Sequence, residues 1–334
     1  MQSNTSRNIF IGVACAIALA VAVVNRPGSG GGSQATKDEI HVGTKKVALA
    51  PASYDGQDGR IAFGAFEAAD GTEADIWSVN PRGTAKHRLT NAPGLDICPA
   101  YSADGRQIAF CSDRTGAFEI WVMDANGKHE RQVTDLGSYA VFPDFSPDGS
   151  QLVFAAEPVG GGNTDLWQVP TRGGEPSQLT DTPDMLEENP VWSPDGSTVL
   201  FARIAGDFSS GQLWSKDIAT GQETQLTFDP TFKDQTPDWS PDGTRIAYAA
   251  DDDIWLMNAD GTGQTNLTQS AAVEFGAAYS PEGTRIAFTG SGGPVAAGER
   301  YVQTIRTDGS ERRIVAPTPG LLQAVPGWQT LGGA

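Results

Sequence analysis

The sequence predicts an all-β protein, and specifically a six-bladed β-propeller whose blades each have four strands. Three observations support this prediction: a strand pattern that recurs six times, a composition rich in turn residues, and a first repeat that is completed only at the C-terminus. The 334 residues include 40 Gly, 21 Pro and 8 Trp. This composition is typical of many short strands joined by tight turns.

Each repeat contains four strand-like segments in a fixed order, seen most clearly over residues 99–134. The first segment ends in Pro-x-aromatic-Ser and leads into a Ser-Pro-Asp-Gly turn, where Pro fixes φ and Gly takes the positive φ. The third segment carries an aromatic residue that recurs every 41 to 47 residues, at positions 77, 121, 167, 214, 255 and 301. Four short strands repeated at this spacing are typical of propeller blades.

The ends of the repeat array predict how the ring closes. The first repeat begins at Gly59 and lacks its Pro-x-aromatic strand. The missing strand appears at the far end of the chain, as Pro326-Gly327-Trp328-Gln329. We therefore expect a C-terminal strand to complete blade 1. The recurring aromatics themselves are expected to pack between blades.

The residues before the repeats predict export from the cytoplasm. The segment 9–24 has no charge and follows Arg7, which is typical of a signal peptide or a membrane anchor over residues 1–26. Both alternatives remain open. Residues 27–55 form a Gly- and Ser-rich linker and lead-in, and residues 56–334 form the propeller. In either case we expect the propeller to be periplasmic, on the cell surface or secreted.

The charge balance limits the partners. The chain has 41 Asp and Glu against 23 Lys and Arg, a formal net charge of −18. Binding to nucleic acid needs clustered basic residues, so this class of partner is excluded. Three Cys and three His leave little room for a zinc site. A protein partner with a basic patch fits the charge better.

The motifs Pro-x-Trp-Ser-Pro-Asp-Gly, Ile-Ala-Phe and Ile-Trp-Val-Met-x-x-x-Gly resemble the repeat of TolB-type propellers. The resemblance covers residues 56–330. TolB is a periplasmic protein of the Tol–Pal envelope system, and its propeller binds a partner lipoprotein, so the resemblance implies an envelope-located, protein-binding propeller. TolB also has an α/β domain before the propeller. The roughly thirty residues between the apolar segment and the first blade are too few for that domain, so the resemblance is to the propeller alone.

Acidic residues recur at two positions of the repeat. The inner column lies three residues before the Pro of the first strand and contains Asp96, Glu187, Asp234, Glu274 and Gln323, with Ala140 as the exception. The outer column lies just before the third-strand Ile/Leu-Trp and contains Asp75, Glu119, Asp165 and Asp253, with Gln212 and Arg300 in the other blades. We expect both columns to open on one face, with the inner column as an exposed ring at the channel mouth.

Two interpretations of these acids remain open. They could keep strand ends and loops soluble. Alternatively, they could attract a basic partner surface or a hydrated cation such as Ca²⁺ in the channel. No other cofactor is expected.

Two cysteines invite a separate hypothesis. Cys98 and Cys111 are placed symmetrically about the turn at Asp104-Gly105. In a regular antiparallel register they would lie directly opposite each other, close enough for a disulfide. The alternative is that both are small buried apolar residues.

The leading functional prediction is a non-catalytic envelope propeller that binds a protein through its acidic face. No Gly-x-Ser-x-Gly elbow is present in the sequence. One alternative is a carbohydrate-active lyase or hydrolase that uses channel-mouth carboxylates, with Glu187 and Glu188 as the first candidates. Another is a membrane-tethered sensor ectodomain, which requires that residues 9–24 are retained.

Overall fold

In a computed structural model of the chain, residues 59–66, 72–157, 162–229, 235–291, 300–315 and 322–329 are described. These residues form six antiparallel sheets of four strands each. The predicted six-bladed propeller is therefore confirmed. None of the described residues forms a helix with the length and apolar character needed to cross a bilayer. The predicted export segment and linker lie outside the described residues.

The strands follow the predicted order within each blade. The first three blades contain, in turn, β1 (Ile61–Phe66), β2 (Ala74–Val79) and β3 (His87–Arg88); β4 (Asp96–Tyr101), β5 (Gln107–Ser112), β6 (Glu119–Asp124) and β7 (Arg131–Gln132); β8 (Ala140–Phe145), β9 (Gln151–Ala156), β10 (Asp165–Pro170) and β11 (Ser177–Gln178). Blades 4 to 6 contain β12 (Met185–Trp192), β13 (Thr198–Ala205), β14 (Gly211–Asp217) and β15 (Glu223–Gln225); β16 (Gln235–Trp239), β17 (Arg245–Ala250), β18 (Asp253–Asn258) and β19 (Thr265–Asn266); β20 (Glu274–Tyr279), β21 (Arg285–Gly290), β22 (Tyr301–Arg306) and β23 (Arg313–Ile314).

The C-terminal strand β24 (Leu322–Trp328) completes blade 1, as predicted. It pairs antiparallel with β1, so that Trp328 lies opposite Ile61. The order in this sheet is β24-β1-β2-β3, which makes β24 the innermost strand. The two ends of the repeat array are thereby joined in one sheet.

The core lies between the blades. The second strand of every blade contributes one aromatic side chain that is at most 1% exposed: Phe63, Phe110, Phe154, Phe201, Tyr248 and Phe288. All six come from the repeated second-strand segment whose clearest form is Ile-Ala-Phe. Because such rings bury large apolar areas, this layer supplies much of the hydrophobic stabilisation.

The innermost strands of blades 2 to 6 share a β-bulge. Its central residue has a positive φ between 47° and 73°, and the residues concerned are Cys98, Phe142, Asn189, Thr236 and Gly276. The strand register shifts at the same place in each of these blades. A left-handed conformation is uncommon for any residue with a side chain, so its recurrence in four non-glycine residues marks a feature built into the repeat.

The bulge corrects the prediction for the cysteines. Because it inserts one extra residue, Cys111 lies opposite Ile97 and not opposite Cys98. The Cys111 thiol donates a hydrogen bond to the Ile97 carbonyl at 3.3 Å. Both cysteines are buried free thiols. The prediction that the two cysteines lie directly opposite each other was wrong, because it assumed a regular hairpin without a bulge.

Gln329 joins the closing strand to two blades, and its replacement tests the closure. Its backbone N–H donates to the Arg60 carbonyl, and its side-chain oxygen accepts from the Arg60 N–H at 3.0 Å. Its amide nitrogen donates to the Gly105 carbonyl of blade 2 at 2.7 Å. We expect Gln329→Ala to lower the free energy of unfolding by about 1–3 kcal/mol, measured by urea denaturation. The exposed Gln264→Ala is the control, and equal stability of the two variants would contradict the role of Gln329.

Candidate functional site

The two acidic columns lie at the same end of the blades, as the repeat predicted. Ser112 is opposite both Asp96 and Glu119 in its sheet. Arg203 is likewise opposite both Glu187 and Gln212. We call this end, where the first and third strands begin, the column face. The opposite end carries the Ser-Pro-Asp-Gly turns, and we call it the turn face.

The expected exposed ring of inner acids is wrong for the three members whose side chains are described. Asp96, Glu187 and Glu274 are each at most 1% exposed. Asp234 lies outside the described residues, and Gln323 is described only by its backbone, which lies opposite Ala65. The inner column therefore belongs to the blade interior.

The outer column is also mostly buried. Asp75, Glu119 and Asp165 are at most 4% exposed, and Asp253 is half-buried. These carboxylates therefore do not present an open charged surface to a partner.

Arginine pairing explains the burial of the inner acids. Arg114 donates to Asp96 at 2.6 Å, and Arg203 donates to Glu187 through Nε at 2.7 Å. In blade 6, Glu274 forms an ion pair with Arg312 at 2.6 Å. Burial nevertheless raises the pKa of Asp96 and of Glu187, since loss of hydration outweighs the partner charge.

The same arginines lie over aromatic rings of their own blades. The Arg114 guanidinium is 4.6 Å from the centre of Trp121, and that of Arg203 is 4.5 Å from Trp214. Cation–π contacts of this kind add to the ion pair. The inner acid, the arginine and the third-strand tryptophan thus form one structural unit in blades 2 and 4.

The outer acids hold the connections between blades. Glu119 accepts hydrogen bonds from the backbone N–H groups of Leu136 at 2.7 Å and Gly137 at 2.8 Å, and from the Thr134 hydroxyl at 2.6 Å. Asp165 and Asp253 accept backbone N–H groups at the equivalent connections. A carboxylate that accepts hydrogen bonds from buried backbone N–H groups stabilises the fold. It does not act as part of an exposed binding surface.

Replacement of an inner acid distinguishes this structural role from an exposed ring. We expect Glu187→Ala to destabilise the fold by about 3–5 kcal/mol, because it leaves the Arg203 charge without its buried carboxylate. Urea denaturation measures the change. Asp184→Ala, an exposed acid three residues earlier, should stay within about 0.5 kcal/mol of the wild type. A loss equally small for Glu187→Ala would show that the pair does not support the blade.

The exposed charge of the column face comes from loops. Its exposed acids lie in the connections that open there: Glu73, Asp135, Asp181, Asp184, Asp207, Asp229, Asp251 and Asp252. Exposed Lys and Arg among the described residues lie on the turn face, apart from Arg88, which is bonded to Asp75. On the turn face, exposed acids of the Ser-Pro-Asp-Gly turns alternate with Arg82, Arg106, Lys128, Arg172 and Arg306. The column face is therefore negative and the turn face mixed.

The first strands of the blades enclose a channel cavity of about 330 Å³ between the bulges and the turn face. One aromatic per blade lines it: Tyr101, Phe145, Trp192, Trp239, Tyr279 and Trp328. These residues were expected only to pack between blades, but Trp192 and Trp239 remain half-buried. The wall is otherwise rich in proline.

Two carboxyl groups in the channel wall were not selected from the sequence. Asp144 accepts the Trp192 N–H at 2.8 Å, and Asp238 accepts the Tyr279 N–H at 2.6 Å, so each joins its blade to the next. Burial raises the pKa of Asp144 and of Asp238 to about 7, and the Asp144 charge adds to the effect on Asp238. The sequence contains one signal that could have identified them. At the same repeat position, the other four blades have a small or apolar residue: Ala100, Val191, Ala278 and Gly327.

The glutamates considered for catalysis do not line this channel. Glu187 is bonded to Arg203, and Glu188 is only 3% exposed. Burial raises the pKa of Glu188 to about 7. Within the described ranges, no group of three or more His, Cys, Asp and Glu side chains is arranged to hold a metal ion, and the expected Ca²⁺ site stays a prediction.

Glu188 makes the stability of the fold depend on pH. Because its folded-state pKa is raised, it keeps its proton in the fold where the unfolded chain has lost it. The free energy of unfolding should therefore fall as the pH rises from about 5 to about 8, with Asp144 and Asp238 acting in the same direction.

The variant Glu188→Gln tests this dependence. In this variant the free energy of unfolding should decrease less as the pH rises, and at about pH 8 it should exceed that of the wild type by up to about 3 kcal/mol. Urea denaturation at several pH values measures both effects. Exposed Glu175→Gln should keep the wild-type slope. An unchanged slope in Glu188→Gln would contradict the shifted pKa.

Comparison with known proteins agrees with this architecture. A family model described as the TolB β-propeller domain matches residues 35–253, more than half of the chain. A protein TolB homologue of Chlorobium luteolum is 41% identical over 44 residues, which cover 13% of this chain and 10% of that protein. The chain thus matches only a small part of this relative.

Two solved structures share the fold. The crystal structure of TolB from Acinetobacter baumannii superposes with a TM-score of 0.69 at 21% identity and covers 81% of this chain and 66% of its own. A putative TolB from Agrobacterium tumefaciens gives a TM-score of 0.60 at 21% identity and covers 81% and 98%. With the repeat, the closing strand and the matched family model together, the chain belongs to the TolB β-propeller domain family.

Proposed function

We propose that this chain is a non-catalytic, extracytoplasmic propeller that binds a protein partner through its column face. The observation that carries the proposal is the distribution of exposed charge: exposed acids lie on several neighbouring loops of that face, whereas the exposed Lys and Arg among the described residues, apart from Arg88, lie on the turn face. The outer column supports part of this surface from within, because Glu119 and Asp165 hold the connections on which Asp135 and Asp181 lie.

The electrostatics favour a basic partner surface. Buried acids paired with arginine contribute little field, whereas exposed acids on several neighbouring loops add their potentials. Such a field speeds encounter with a positively charged partner and is screened beyond about 8 Å at physiological ionic strength. The exposed acids that would attract the partner therefore lie on the loops and not at the strand starts, where the sequence analysis expected them.

An apolar residue lies on the same face. Phe228 is 70% exposed and belongs to the connection between blades 4 and 5. The next residue is held in place, because Gln212 donates to the Asp229 carbonyl at 2.6 Å. A large exposed aromatic beside acids suits a partner that offers an apolar pocket within a basic patch.

The family supports the proposed location. TolB-type propellers act in the cell envelope, and the predicted export segment at residues 1–26 agrees with that location. The proposed protein is therefore periplasmic or otherwise outside the cytoplasm, with residues 9–24 as a possible membrane tether. This chain covers 66% of the Acinetobacter structure. The partner is therefore proposed by its chemistry and not by name.

Affinity capture with matched variants tests the proposal. The full chain and the variant Asp181→Asn/Asp184→Asn/Asp207→Asn are used to capture proteins from envelope extracts, which are then quantified by mass spectrometry. The control Glu175→Gln/Asp260→Asn/Asp308→Asn removes the same three charges from the turn face. We expect one protein to be retained by wild type and control, and its association rate with the column-face variant to fall about tenfold in surface plasmon resonance.

Salt dependence provides the second criterion. The retained partner should associate more slowly as the salt concentration rises, because exposed charges are screened. A partner that binds both variants equally, or whose association ignores salt, would refute binding through the column face.

A further inference from the structure

The described part of the channel wall contains two carboxyl groups and no cationic side chain. Among the described residues that line the cavity of about 330 Å³, Asp144 and Asp238 are the only Asp or Glu, and none is Lys or Arg. They lie in blades 3 and 5, separated by the wall of blade 4. This contrasts with the inner column, where Asp96, Glu187 and Glu274 each have an arginine.

The two carboxylates are held in fixed positions. Asp238 accepts the N–H of Trp239 at 2.9 Å on one oxygen and that of Tyr279 at 2.6 Å on the other. Asp144 is held by the Trp192 N–H at 2.8 Å. A carboxylate has about four acceptor positions, so both groups keep lone pairs that these backbone N–H groups do not use. Fixed acceptors reduce the ordering cost of binding.

The tyrosines of the wall add no open polar group. Tyr101 and Tyr279 are at most 8% exposed and belong to apolar core clusters. Their phenolic oxygens are inaccessible to solvent. The carboxylates of Asp144 and Asp238 are therefore the charged groups that the wall can offer to a ligand.

The remaining wall suits an organic ion better than a metal ion. Half-buried Trp192 and Trp239 offer aromatic surface next to the carboxylates, and prolines form most of the rest. Aromatic rings attract organic cations and pack against apolar stems. A Ca²⁺ ion takes six to eight oxygen ligands, and among the described residues of the wall two carboxylates are available to it.

From these observations we infer that the channel binds an organic cation, namely a guanidinium or primary ammonium group on a short apolar stem. The carboxylates of Asp144 and Asp238 accept its N–H groups, and the tryptophans contact the stem. The cavity is at the lower end of the volumes that hold small ligands. This site is distinct from the column face and goes beyond the proposed function.

The cation has two possible sources with the same chemistry. It can be the side chain of an arginine or lysine in a protein segment that enters the channel, or a free amine. Two probes distinguish them: the peptide acetyl-Gly-Arg-Gly-amide and the free amine agmatine. Binding of each to the full chain is measured by isothermal titration calorimetry, with tryptophan fluorescence as a second readout.

The decisive variant is Asp144→Asn/Asp238→Asn. Asparagine loses the charge and keeps one acceptor oxygen, which can still accept the N–H group of the next blade, whereas the second bond of Asp238, to the Trp239 N–H, is lost. We expect wild type to bind at least one probe at millimolar concentration or below, and the variant to bind it about tenfold or more weakly. The control Glu175→Gln/Asp260→Asn removes one charge from each of the same two blades on their outer turns and should bind as the wild type does.

A pH series adds an independent readout. Protonation of the two carboxyls removes their attraction, so affinity should fall as the pH is lowered from about 8 to about 6, and the double variant should not show this fall. Tighter binding of the peptide assigns the site to a partner side chain, and tighter binding of agmatine assigns it to a free amine.

Three results would overturn the inference. These are no heat and no fluorescence change with either probe, equal affinity of wild type and the double variant, or binding of CaCl₂ without binding of either cation. Circular dichroism of each variant confirms that the fold is kept. The column-face variant should still bind the probes, so failure of this inference and failure of the proposed function are separate outcomes.

Discussion

The pairing of β24 with β1 is the constraint on which the rest of the structure depends. No blade has a core of its own, because the buried second-strand aromatics pack between neighbouring sheets. Each blade therefore needs two neighbours, and only a closed ring provides them for all six. The closing strand also approaches blade 2 closely: a Cβ on Gly327 would lie 2.5 Å from the Pro99 carbonyl oxygen. Only glycine fits at that point.

The bulges connect ring closure to the channel. Each places a residue with positive φ beside the neighbouring blade, at a conformational cost for non-glycine residues. Part of that cost is offset by contacts between blades, as where the Thr236 hydroxyl accepts the Gly276 N–H at 3.1 Å. The aspartates two residues further on make the next such contact. The channel wall is thus also the joint between the blades.

Repetition explains what could be predicted from the sequence. Strand order, blade number, closure and the shared end of the acidic columns follow from comparing positions across repeats. The burial of the inner acids could not be predicted in this way, because the arginines that pair with them do not occupy one repeated position. Arg114 comes from a loop, Arg203 from β13, and Arg312 from the connection after β22. The bulge could not be predicted for a similar reason, because a one-residue register shift leaves the spacing of the repeats unchanged. As a result of this shift, Cys111 lies opposite Ile97.

Acidic residues occupy three different environments in this fold, and the environment decides what each can do. Those in the columns are buried with cations or backbone donors, so they stabilise the ring and leave little field outside it. Those on the loops are hydrated, so they are inexpensive to keep charged and act at a distance. Asp144 and Asp238 lie between these limits, half-buried in a wall whose described residues include no Lys or Arg. Each accepts an N–H group of the next blade, which links the ring, and its charge is what the proposed organic cation would neutralise.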